Sequence, residues 1–366
     1  MPSAKPTDTD RTPAPRRPHS APPRSLDPSP PPPVPPTSRD TLPAVVAGLV
    51  CWIVVNANLL ALAGRHLPLR ASSLADPPTV ATILRTNAMY VEILVLMVVV
   101  RLLTRHRHGA ELVASRAPTR EVAKRETQLV LTYGVAAMVG GYLLGRAFGW
   151  HAFGFHLDGM VIRTGQPVTP AEAVVWAAYN LLAYAVLPLA FFRRRYSAER
   201  LNLRSVDRRG DLLVVVVVLL LESAVQLLVT PDSILGLAPR QALLGAPLTF
   251  ALSFAGTVLP TMVFVFCVLT PRYLRLTGSI PATVLLGGLT YALLHFFDGW
   301  TTFASPADAL ISVFYLVLFY TGPGMFKTYL TLRTANAWTH VWAYHAIAPH
   351  TLVDTPMFVR IFGIRG

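Results

Sequence analysis

The sequence predicts an all-α protein, a polytopic helical membrane protein of about eight to nine transmembrane helices. Three observations lead there. Hydrophobic residues make up 53% of the 366-residue chain and charged residues only 14%, against roughly 25% charged in an ordinary soluble domain. The apolar residues lie in continuous runs, each close to the ~20 residues with which a helix crosses the hydrocarbon core. These runs do not alternate and are longer than barrel strands, so the segments cross as helices, which satisfy their own backbone groups.

The elements follow in order. The first 40 residues carry 14 of the 32 prolines, densest in PSPPPPVPP, and hold no apolar core segment. Such a stretch buries too little side chain to fold and favours extended conformations, so residues 1–40 are expected to be a disordered, basic cytoplasmic tail rather than a signal peptide. Nine apolar segments come next, at roughly 41–64, 82–102, 128–148, 171–192, 211–230, 246–270, 279–297, 308–330 and 336–356. The fifth, DLLVVVVVLLLESAVQLLV, is the cleanest. Gly322, Pro323, Gly324 and Lys327 interrupt the eighth, and three histidines enter the ninth. The chain divides into the tail, an N-terminal block of about five spans (41–245), a C-terminal core (246–356) and a short tail (357–366).

Lys and Arg outnumber Asp and Glu by 32 to 19, for a formal charge of +13. With the N-terminus placed in the cytoplasm, most of these cations fall in 1–40, 101–126, 193–210 and around Lys327 and Arg333, all on one side. That asymmetry matches the positive-inside rule. The expected location is a bacterial inner (plasma) membrane, with the N-terminus cytoplasmic. Topology accounts for the charge, so no nucleic-acid partner is expected; the lipid bilayer is the expected partner. Cys51 and Cys267 both sit in apolar segments, which excludes a disulfide framework and a cysteine-based zinc motif.

Polar and ionisable groups inside spans are costly, and each is a site candidate by default. These are Asn56, Asn58, Glu92, Arg146, Asn180, Glu222, Gln226, His295, Asp298, His340, His345, His350 and Asp354. In YALLHFFDGW, residues Tyr291, His295 and Asp298 stand at helical spacing and share a face. That strip suits a metal, a proton relay or a packing contact. In the last segment His350 and Asp354 are four apart and share a face, and Pro349 disturbs the helix just before them. Two imidazoles from different helices plus a carboxylate would make a zinc set, with a further carboxylate as general base. His345 lies five before His350 and points roughly 140° away on an ideal helix. His340 reads as interfacial. A structural polar cluster is the alternative for all of them.

The C-terminal part resembles the CPBP family, also called the Abi or CAAX-protease-like family of intramembrane proteins. Tyr291-x-x-x-His295 is similar to its Phe-x-x-x-His motif, and His350-x-x-x-Asp354 to its His-x-x-x-Asn motif. The run FKTYLTLRTANAWTHVWAYH resembles the turn and the Trp-bearing opening of the family's last core helix, with Arg333-Thr334-Ala335-Asn336 at the turn and Trp338 after it. The likeness covers about 110 residues, from about 250 to 356. It departs at the family's Glu-Glu-x-x-x-Arg motif, because residues 254–270, FAGTVLPTMVFVFCVLT, hold neither glutamate nor arginine.

The resemblance implies an intramembrane endopeptidase acting on a membrane-associated peptide or lipoprotein. His295 and His350, with Asp354, would hold a metal, zinc being the one expected, or stabilise the oxyanion. Glu222 or Asp298 would stand in for the missing carboxylates as base. The alternative is a catalytically inactive relative that binds or scaffolds within the membrane. A transporter, with broken helices at 322–324 and at Pro349, is a third reading, and a lipid-modifying enzyme a fourth.

Overall fold

The computed structural model describes residues 41–62, 79–157, 167–230, 232–298 and 303–366. The Pro-rich segment 1–40 lies outside them. All regular secondary structure among the described residues is helical. The helices are α1 (Thr41–Leu62), α2 (Thr79–Leu103), the short α3 (Gly109–Arg116), α4 (Arg120–Phe148), α5 (Pro170–Arg193), α6 (Arg208–Val229), α7 (Pro239–Thr277), α8 (Ile280–Leu294) and α9 (Pro306–Thr334). They are followed by α10 (residues 337–353) and α11 (Thr355–Ile361). Seven of these are long and apolar enough to cross a membrane: α1, α2, α4, α5, α6, α7 and α9. The remaining two expected spans correspond to α8, at 15 residues, and to α10 with α11.

Local chemistry sets the boundaries. Thr169 and Glu172 form a capping box around Pro170 at the start of α5, and the Asp207 side chain accepts from the Gly210 N–H at the start of α6. These groups satisfy backbone donors that the first helical turn leaves orphaned. Ser279 and Ser305 do the same for α8 and α9, each followed by a proline. The turn expected at Arg333 to Asn336 is present. Ala335 adopts φ 50°, and Arg116 donates to its carbonyl (2.8 Å) and to Asn202 (2.9 Å).

The innermost element is α7, whose residues from Val258 to Leu269 are almost all buried. A helix apolar all round belongs in an interior. Next to it, α8 and α9 pack closely through small residues: Gly324 faces Tyr291 and Gly288, and Gly287 faces Thr328. Small residues permit such close approach where lipid gives no hydrophobic drive between helices.

Three expectations change here. The Gly322-Pro323-Gly324 sequence does not interrupt α9, which runs unbroken from Pro306 to Thr334, since packed neighbours let membrane helices tolerate proline. Lys327, expected at a membrane edge, is buried within that helix. His340, expected at an interface, is also buried, its ring 4.3 Å from that of Phe266. Around Pro349 the chain remains helical but widens into a π-helix over Val341–Val353.

Candidate metal centre

The centre is built from α8, α9, α10 and a non-helical segment between α4 and α5. After Gly149 (φ 69°) closes α4, the chain re-enters the bundle and buries Phe153, Phe155 and Leu157. Irregular backbone at membrane depth survives only where protein satisfies it, and side chains do so here. Trp176 Nε1 and Asn180 Nδ2 donate to the Gly154 carbonyl at 2.8 and 3.0 Å. Thr257 Oγ1 donates to the Phe155 carbonyl at 2.5 Å, and Asp298 Oδ1 accepts from the Phe155 N–H at 3.0 Å. Glycine is required at 154, where an added Cβ would meet the Asp298 side chain and backbone. This scaffold delivers His156, which is half-buried, to the other imidazoles.

His156, His345 and His350 each offer a nitrogen, and the three nitrogens lie within 4.8 Å of one another. The π-helix brings the last two together. With hydrogen bonds running i to i+5, residues five apart fall on nearly the same face, and the rings of His345 and His350 stand 5.1 Å apart. The His340 ring continues the same row, 6.1 Å from that of His345. The His156 ring lies 4.9 Å from His350 and 4.8 Å from His295.

Polar neighbours orient this set. His350 Nδ1 bonds Asp354 Oδ2 at 2.7 Å; that contact fixes the tautomer and turns the Nε2 lone pair towards the other rings, as supporting carboxylates do for metal-binding histidines. Tyr291 Oη lies 3.4 Å from Nε2 of both His156 and His345. Lys327 Nζ donates to Tyr291 Oη at 2.7 Å, and sits 4.0 Å above the centre of the Tyr291 ring.

The donor set fits a divalent transition metal. Three neutral imidazoles are a common zinc set, and at 2.0–2.1 Å from a tetrahedral ion their nitrogens would stand about 3.4 Å apart.

The sequence-derived candidates are distributed as follows. His350 and Asp354 lie in the centre, bonded to each other. His295 is beside it, with Nδ1 2.6 Å from the Tyr291 carbonyl and its ring stacked 3.8 Å from Tyr320. Asp298 takes the Tyr320 hydroxyl at 2.7 Å as well as the Phe155 N–H, so it holds the re-entrant segment. Glu222 is buried on α6 and accepts from Gln226 at 2.9 Å, away from the histidines. Sequence reasoning missed His156 and Lys327. His156 ends HAFGFH, between two apolar segments, where a rule confined to spans does not look. The only signal was two histidines among aromatics in the connection between those segments.

Compared with known protein families, with curated proteins and with solved structures, the chain matches none.

Proposed function

We propose that this chain is a membrane-embedded, metal-dependent endopeptidase of the CAAX-protease-like kind, acting on a membrane-associated peptide or lipoprotein segment. The observation that carries this reading is the convergence of His156, His345 and His350 on one point, with Asp354 behind His350. A divalent cation there would supply a Lewis acid to polarise a substrate carbonyl.

The chain's own residues supply the rest. Asp354 keeps His350 in one tautomer. Tyr291 presents a hydroxyl beside two of the imidazoles, and Lys327 fixes that hydroxyl by donating to it. The surrounding apolar core excludes bulk water, which strengthens each of these interactions. His156 is the most exposed of the three histidines. Near Thr257, where the resembled family carries its glutamate pair, this chain docks the segment bearing His156.

A second reading has its own support. Glu222 engages Gln226 rather than a histidine, and α7 brings no carboxylate to the centre. A catalytically inactive relative, serving as a membrane binding or scaffolding protein, is consistent with both.

The test is the metal content of the full-length protein in detergent, measured for the wild type and for His156→Ala, His345→Ala, His350→Ala and His295→Ala. The expected result is stoichiometric zinc, lost in the first three variants and kept in the fourth. A folded wild type without metal overturns the metal-dependent reading. Zinc without cleavage of any lipopeptide in a broad panel favours the inactive relative.

A further inference from the structure

His340 lies on α10 five residues before His345 and is fully buried. Neither of its ring nitrogens has a hydrogen-bond partner among the described residues, and neither does Nδ1 of His345. Buried polar atoms in native interiors are nearly always bonded, to protein or to ordered water, because an unpaired one is costly. Three such atoms on two adjacent rings therefore call for a bridging group.

The metal reading says which of these atoms donates. Nε2 of His345 is the nitrogen 3.4 Å from Tyr291 Oη, on the side of the centre. With Nε2 given to a metal, the proton of the neutral ring sits on Nδ1. A metal-binding histidine ordinarily passes that N–H to an acceptor, which fixes the ring. His350 has Asp354 for this contact, whereas His345 has no protein acceptor of its own.

His340 is placed to supply one. The two rings share a face of the π-helix, with centres 6.1 Å apart. A ring nitrogen stands about 1.2 Å from its ring centre, so the facing nitrogens come no closer than about 3.7 Å. That is too far for a direct bond and within the span of a single water. On α7, the Phe266 ring lies 4.3 Å from that of His340 and offers only an apolar wall.

We infer that His340 is a positioning residue of the metal centre, which holds the Nδ1–H of His345 through one buried water. The inference rests on the reading of His156, His345 and His350 as metal ligands.

The test is zinc affinity by competition against a chelator, together with thermal unfolding of the metal-free protein, on the full-length chain in detergent. The wild type is compared with His340→Leu, His340→Asn and His340→Gln. His340→Leu keeps most of the volume and removes both nitrogens. It is expected to lower zinc affinity roughly 10-fold or more. Metal-free unfolding should stay unchanged or rise, since the residue removed has no protein partner to leave behind. Asparagine and glutamine place an amide oxygen near the Nδ1 and Nε2 positions, and at least one of them should restore most of the affinity. His340→Met makes the same deletion on a more adaptable side chain and decides the matter if the leucine variant does not fold. Unchanged affinity in the apolar variants, or an equal loss in the apolar and amide variants alike, overturns the inference and leaves the metal centre standing. A folded wild type that binds no zinc overturns the metal-binding reading and this inference with it.

Discussion

The outer helices and the inner ones are built from the same apolar residues to opposite ends. In α1, 11% of the most apolar stretch is buried within the protein; in α7 the share is 78%. Leu220 of α6 is 65% exposed and Leu84 of α2 is 63% exposed, and lipid is the natural cover for such side chains. In the inner helices, apolar residues surround a polar interior of four histidines, a lysine, tyrosines and carboxylates. Hydropathy measures the two classes alike. The difference lies in what the polar groups hold: on the outer helices they bond their own backbone, as Asn58 does to the Val54 carbonyl, or link two neighbouring helices, as Asn87 does to Asn56, whereas Asp298 in the interior holds a non-helical segment and α9 together through Phe155 and Tyr320.

Substitutions break or sharpen this contrast. The largest expected effect is at the buried ion pair of Glu126 and Arg272, in which Arg272 donates through Nε at 2.8 Å and lies over the Phe192 ring. Glu126→Ala leaves a guanidinium buried without its counter-charge, and should cost about 3–5 kcal/mol, read as thermal unfolding in detergent. A Glu126→Leu, Arg272→Met double variant should recover most of that loss.

Next is Gly256→Val. An added side chain at 256 would drive into the Trp176 ring, whose Nε1 holds the Gly154 carbonyl. Overpacking of this kind costs about 1–3 kcal/mol. Because the displaced segment carries His156, metal retention should fall with stability. Unchanged metal content would detach the re-entrant segment from the centre.

Asp354→Asn should lower metal affinity by roughly 10–100-fold, the usual consequence of losing a carboxylate behind a metal-binding histidine, with little change in folding. Competition against a chelator measures it.

A smaller effect concerns acid. The Gly210 N–H, assisted by the Arg107 guanidinium and opposed by partial desolvation, holds the Asp207 carboxyl below its ordinary range. A depressed folded-state value stabilises above the unfolded value of about 3.9 and is lost as pH falls below it. Asp207→Asn should therefore flatten the acid limb by lowering the midpoint slightly at neutral pH, with little change at acid pH, where the wild type has already lost the contribution. The smallest effect is expected at the lipid face, where Leu220→Ala should change stability by no more than about 0.5 kcal/mol.

The sequence by itself determined the fold class and the places where helices form. Continuous apolar runs of span length have few physical options in a bilayer, and prolines, serines and glycines fixed the helix ends. It also identified His350 with Asp354, because four-residue spacing on a helix is a local relation. Only the tertiary structure decided the rest of the centre. His345 joins His350 because α10 is wound as a π-helix, so a five-residue spacing that diverges on an α-helix comes nearly into line. His156 arrives on a segment whose backbone is held by Trp176, Asn180, Thr257 and Asp298, groups scattered over more than a hundred residues. Lys327 lies inside the bundle, not at its edge, because Tyr291 and Tyr344 receive its ammonium there. Each of these placements depends on long-range packing, which periodicity along a single helix does not encode.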